Sequence, residues 1–113
     1  MKTCRIDVLG TEYTVCVGTR EELRPDVPDE WDGCCFTYDK TIFVVRDFED
    51  VRTPEGKTEI LKEILGHELA HAFLFESGFK VHEDEEDTVV WLSRNSFKLV
   101  NCVLSVLDEL GEI

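Results

Sequence analysis

Positive charge is scarce in this chain: 12 Lys and Arg stand against 25 Asp and Glu, a formal net charge of −13. Such a surface repels phosphate backbones and anionic bilayers, so neither nucleic acid nor membrane is an expected partner. Long apolar runs are missing as well. No stretch approaches the ~20 apolar residues that span a bilayer, and the opening Met1-Lys2-Thr3-Cys4-Arg5-Ile6-Asp7 lacks the apolar region of a secretory signal, so a cytoplasmic location is expected. The five cysteines are odd in number and include no C-x-x-C. They are expected to be small free hydrophobes of a reducing compartment rather than a disulfide framework or a thiolate metal site. Repeats, low-complexity tracts and interdomain linkers are absent, and 113 residues suffice for one core but not for separate catalytic and recognition domains. A single domain over residues 1–113 follows.

What is present is one dense piece of chemistry, His67-Glu68-Leu69-Ala70-His71. On an α-helix, residues four apart lie on one face, so both imidazoles of H-E-x-x-H can hold one Zn²⁺ while Glu68 stands beside the open coordination position. Zinc acidifies bound water towards ~7, and a carboxylate in hydrogen-bond reach can take its proton as the water attacks a polarised carbonyl. Metal-assisted hydrolysis is the chemistry this spacing supports. The alternative, a metal-free amphipathic helix, leaves two uncharged histidines sharing the apolar stripe Ile60, Ile64, His67, His71 and Leu74 without partners.

The flanking pattern places that helix late in the fold. Cys4, Ile6 and Val8 alternate with polar residues, as do Tyr13, Val15 and Val17, around Gly10-Thr11, which is a hairpin signature. A two-residue Gly10-Thr11 turn would pair Val8 with Tyr13, Ile6 with Val15 and Cys4 with Val17, all six on one face, and would keep Cys4 from bonding Cys16. Residues 18–33, with their charges and two prolines, read as a surface loop, and a second strand pair follows over Cys35 to Tyr38 and Ile42 to Val45, turned by Asp39-Lys40. Thr53-Pro54 provides a helix cap and first-turn proline, and Ser77-Gly78 a stop, with Phe79 folding back on the last turn. A second long helix is expected from a cap at Asp84 to about Leu110, closed by Gly111, with Val89, Leu92, Ser96, Leu99, Val100, Val103 and Leu107 facing inward. Strands followed by two helices give an α+β domain, a small antiparallel or mixed sheet with both helices on one of its faces.

A catalytic zinc takes three protein ligands and keeps one position open. Position 77 is Ser, which excludes the metzincin arrangement with a third His six residues beyond His71, and His82 reads as a solvated loop residue. That leaves the acidic cluster Glu83-Asp84-Glu85-Glu86-Asp87 at the start of the second helix, most of which the helix dipole alone explains. Glu86 is the preferred third ligand because Glu86, Val89, Val90, Ser93, Phe97 and Val100 form one consistent face, with Glu85 as the alternative. Asp87 or Asp84 is placed to orient a ligand histidine.

With Leu9-Gly10-Thr11-Glu12-Tyr13, Asp32-Gly33-Cys34-Cys35, the run from Gly66 to Gly78 ending Phe75-Glu76-Ser77-Gly78, and Glu86-Asp87 leading to Trp91-Leu92, the chain resembles small zincin-like proteins of phages and prophages of Gram-positive bacteria, relatives of the ImmA/IrrE and SprT-like metallopeptidases. The resemblance implies a zincin-like fold, a gluzincin-like site completed by a Glu opening the second helix, and phage or prophage origin.

Two functions compete on these residues. In the first, His67, His71 and Glu86 hold Zn²⁺, Glu68 is the general base, and an exposed sheet edge binds a protein or peptide substrate in extended form. In the second, the chain is a non-catalytic, zinc-stabilised module that binds a phage or host protein. SprT-like action on DNA-bound proteins is disfavoured by the charge of −13.

Overall fold

The computed structural model describes residues 1–78 and 85–111. Two early strands, β1 (Lys2–Val8) and β2 (Thr11–Gly18), precede a one-turn helix α1 (Arg20–Leu23), the strands β3 (Gly33–Phe36) and β4 (Thr41–Val45), and two long helices, α2 (Pro54–Glu76) and α3 (Glu85–Glu109). The sheet order is β1-β2-β4-β3, with β2 and β4 parallel and the two outer pairings antiparallel. The fold is therefore α+β around a mixed sheet.

The first hairpin turns on Leu9-Gly10, not Gly10-Thr11. Val8 pairs with Thr11, Ile6 with Tyr13 and Cys4 with Val15, a slip of two residues from the expected register. Both turn residues have positive φ, 50° and 91°, the geometry that matches strand twist in a tight hairpin. A slip of two keeps every side chain on its expected face. Cys4 and Cys16 are free, as are Cys34 and Cys35.

Residues 18–33 are more than a loop. Thr19 and Glu22 form a capping box around α1, and Leu23 and Val27 are buried with Cys34, Val45 and Phe43 on one face of the sheet. Arg20 holds the rest of the segment in place: its guanidinium donates to the carbonyls of Pro28 and Trp31 and to the Asp32 carboxylate. The second strand pair is also displaced from expectation. Gly33 and Cys34 belong to β3, whereas Tyr38 is 88% exposed in the turn, where Lys40 takes φ 54°.

α2 starts and stops where its sequence directs. The Thr53 hydroxyl accepts from the Gly56 amide, Pro54 occupies the first turn, and Gly78 at φ 73° ends the helix. It buries two sides. Leu61, Leu65, Leu69 and Ala72 meet Val8, Tyr13, Val15, Ile42 and Val44 of the sheet, while a neighbouring face meets α3. The expected arrangement of both helices on the sheet is thus corrected: α3 packs on α2, which lies between it and the sheet. On α3, Val89 and Ser93 are buried, the Phe97 ring closes against Gly66, and Gly111 at φ 71° follows the end; Val100, expected inside, is 52% exposed. Phe79, His82, Glu83 and Asp84 lie outside the described residues, and the side chains of Glu85, Leu99, Val103 and Leu107 outside the described side chains. Among the described residues no helix is long and apolar enough to cross a membrane.

Candidate metal centre

The spacing of four within α2 places the His67 and His71 rings 5.1 Å apart, half-buried on the flank that faces α3 rather than on the sheet-facing stripe. α3 brings Glu86 over them. His71 Nε2 lies 2.8 Å from Glu86 Oε1 and His67 Nε2 lies 3.3 Å from Glu86 Oε2, so one carboxylate faces both imidazoles. The three donor atoms fall within 4.8 Å of one another, and among the described residues no other group of His, Cys, Asp and Glu converges in this way. Two imidazoles and a carboxylate are the donor set of an open zinc site, so these residues fit that ion. Asp87 is exposed and makes no hydrogen bond to either histidine, so it does not orient them.

Glu68 is separate from this triad in position and environment. Its place one residue after His67 turns it towards the sheet edge, where it is only 7% exposed. A Cβ built on Gly33 would lie 3.0 Å from Glu68 Oε2 and 3.1 Å from its Cγ, so the carboxyl rests directly against the backbone of β3. No described residue donates a hydrogen bond to it. Burial raises its pKa to about 7, and the nearby Glu86 charge pushes in the same direction. The side chain is largely buried but its carboxyl oxygens open onto the cleft, and a carboxyl poised near neutrality beside two histidines suits a general base.

These groups open into one cleft of about 790 Å³. One wall is α2, with Ile60, Ile64, His67, Glu68 and His71; another is α3, with Glu86, Val90, Ser93 and Arg94; the third is the segment Trp31 to Cys35. Cys35 is held protonated, its thiol pushed up to about 12 by burial and by the Glu68 charge, so it is no candidate nucleophile at neutral pH. His67, His71, Glu68 and Glu86, singled out from the sequence, all line this cleft. Sequence reasoning missed the Trp31-Asp32-Gly33 wall, for which the signals were Arg20 and the Thr19 capping box, and it missed Arg94, which follows Glu86 by two helical turns on the same stripe. No family model matches the chain, and neither the curated proteins nor the solved structures contain a significant match to it.

Proposed function

We propose that the chain is a zinc-dependent metallopeptidase with a zincin-like arrangement, as its H-E-x-x-H and its resemblance to small phage zincin-like proteins suggest. The observation that carries the reading is the juxtaposition of a largely buried Glu68, which accepts no hydrogen bond from any described residue, with a convergent His67, His71 and Glu86 cluster in one open cleft. His67, His71 and Glu86 would hold the ion. When bound, zinc would supply Lewis acidity and an acidified water.

Glu68 is placed to hold the proton released on attack and to return it to the leaving amine. Its carboxyl titrates near neutrality before any cation is bound, and a divalent charge close by favours the ionised, proton-accepting form. The backbone of β3 forms the sheet's outer strand, paired on one side only with β4, and lines the same cleft as Glu68. An extended peptide adding to that edge would pass its carbonyls over the histidines. Trp31 at the mouth, Val90 on α3 and Ile60 on α2 give apolar surface for its side chains.

The test has two parts. Protein reconstituted with zinc and freed of excess metal should retain about one ion per chain, and Glu86→Ala should weaken retention. Glu68→Gln should keep metal and fold but lose hydrolysis of a peptide library by ~10²–10⁴. Absence of stoichiometric zinc removes the proposal. Zinc without any Glu68-dependent cleavage favours the non-catalytic binding module instead.

A further inference from the structure

Among the described residues Arg94 is the one Lys or Arg lining the cleft, where it shares the walls with Asp32, Glu63, Glu68 and Glu86. It is exposed and makes no ion pair or hydrogen bond with any described residue, although the chain carries 25 acidic residues. Three of the four acids are differently engaged: Asp32 is bound by Arg20 at 2.8 Å, Glu86 faces the histidines, and Glu68 is buried. Glu63 is exposed on α2 and makes no ion pair with Arg94. The adjacent Ser93 is also occupied, its hydroxyl donating to the Val90 carbonyl of its own helix at 3.1 Å.

We infer that Arg94 is a specificity-determining residue that binds a carboxylate of the peptide substrate, either an Asp or Glu side chain or a free C-terminus, about three residues from the bond to be cleaved. This rests on the peptidase reading of the same cleft and names its substrate class. The distance follows from the helix. Eight residues separate Glu86 from Arg94, a rise of ~12 Å, and both side chains lean towards the helix N-terminus, the longer Arg further. An extended peptide advances ~3.3 Å per residue, so a chain with its reacting carbonyl at the histidines carries its third neighbour to the guanidinium. The planar fork of Arg donates two parallel hydrogen bonds to a carboxylate, which a lysine could not do. In a chain so acidic, an unpaired guanidinium in the cleft also offsets the field that would otherwise repel an anionic peptide.

Binding and hydrolysis separate the two readings. Zinc-treated Glu68→Gln protein is mixed with a pool of random hexapeptides synthesised in matched pairs, acidic residues against their amides and free against amidated C-termini. Carboxylate-bearing members should be retained about tenfold better, and Arg94→Gln should abolish that preference while leaving zinc content unchanged. In the Glu68-competent protein, Arg94→Gln should raise KM for acidic peptides and leave kcat near its original value, and Arg94→Glu should turn the preference towards basic peptides. Retention that ignores the carboxylate, or that Arg94→Gln does not alter, or no retention at all, overturns the inference. Carboxylate-selective retention without Glu68-dependent cleavage would sink the peptidase reading, and with it the spacing from a scissile bond, leaving Arg94 as a carboxylate-binding residue, whereas cleavage with no carboxylate preference would sink only the role of Arg94.

Discussion

Gly33 sets how closely the sheet edge approaches Glu68. Any side chain there must displace the Glu68 carboxyl or Ile64, both 3.0 Å from where a Cβ would sit. Gly33→Ala should therefore cost about 1–3 kcal/mol of stability and lower hydrolysis out of proportion to that loss, because the displaced group is the proposed base. Thermal unfolding and turnover measured on one preparation would check it, and equal losses in both would show Glu68 to be insensitive to the contact. His67, Glu68 and His71 were legible from their spacing because a helix turns sequence interval directly into proximity. Gly33 was not, since its role depends on a strand brought to α2 by tertiary packing.

Between the helices, Gly66 has the corresponding role. A Cβ there would approach Phe97 to 2.8 Å, so the glycine lets α3 lie close enough for Glu86 to reach both histidines. Gly66→Ala should weaken zinc retention; combined with Phe97→Ala, where the clash is gone, the same change should instead stabilise by up to ~1 kcal/mol through helix propensity. Zinc titration and denaturant midpoints of the four proteins form the necessary cycle. At the other end of α2, Glu76 accepts from Lys40 and from the Tyr13 hydroxyl, each at 2.7 Å, tying the helix terminus to β2 and the β3–β4 turn. Those hydrogen bonds, Lys40 first, hold the Glu76 carboxyl down to about 2 against ~4.3 in an unfolded chain. Because the folded pKa is the lower one, the contribution is complete above pH ~4.3 and fades as the pH falls towards 2. Glu76→Gln should be less stable than the parent at neutral pH, and urea midpoints of the two should converge across that window. The α2 boundaries were readable because caps are local, whereas of the stripe expected inside α3 Val89 is buried and Val100 is exposed. The hairpin register was not readable: it depends on Leu9 accepting a positive φ, which its residue type does not advertise, and the parallel β2–β4 pairing joins strands far apart in sequence.

Over the molecule as a whole, a charge of −13 opposes compactness. Added salt screens exposed charges, so metal-free protein should gain a few degrees in melting temperature between low and ~0.5 M salt, and zinc-loaded protein less, since the ion already neutralises part of the cleft. Calorimetry with and without chelator would decide, and a melting temperature indifferent to salt would show the excess charge to be harmlessly dispersed.

α3 rests on α2 rather than on the sheet, yet it carries Glu86, one of the three proposed metal donors. Ion binding and docking of this outer layer are then two sides of one equilibrium, and each must strengthen the other by the same factor. The chain supplies its own reporters, because Trp31 lines the cleft ahead of β3 and Trp91 lies on α3 itself, next in sequence to the cleft-lining Val90. Their emission should follow zinc titration in the parent and become unresponsive in Glu86→Ala, turning intrinsic fluorescence into a direct gauge of how firmly the last helix is latched.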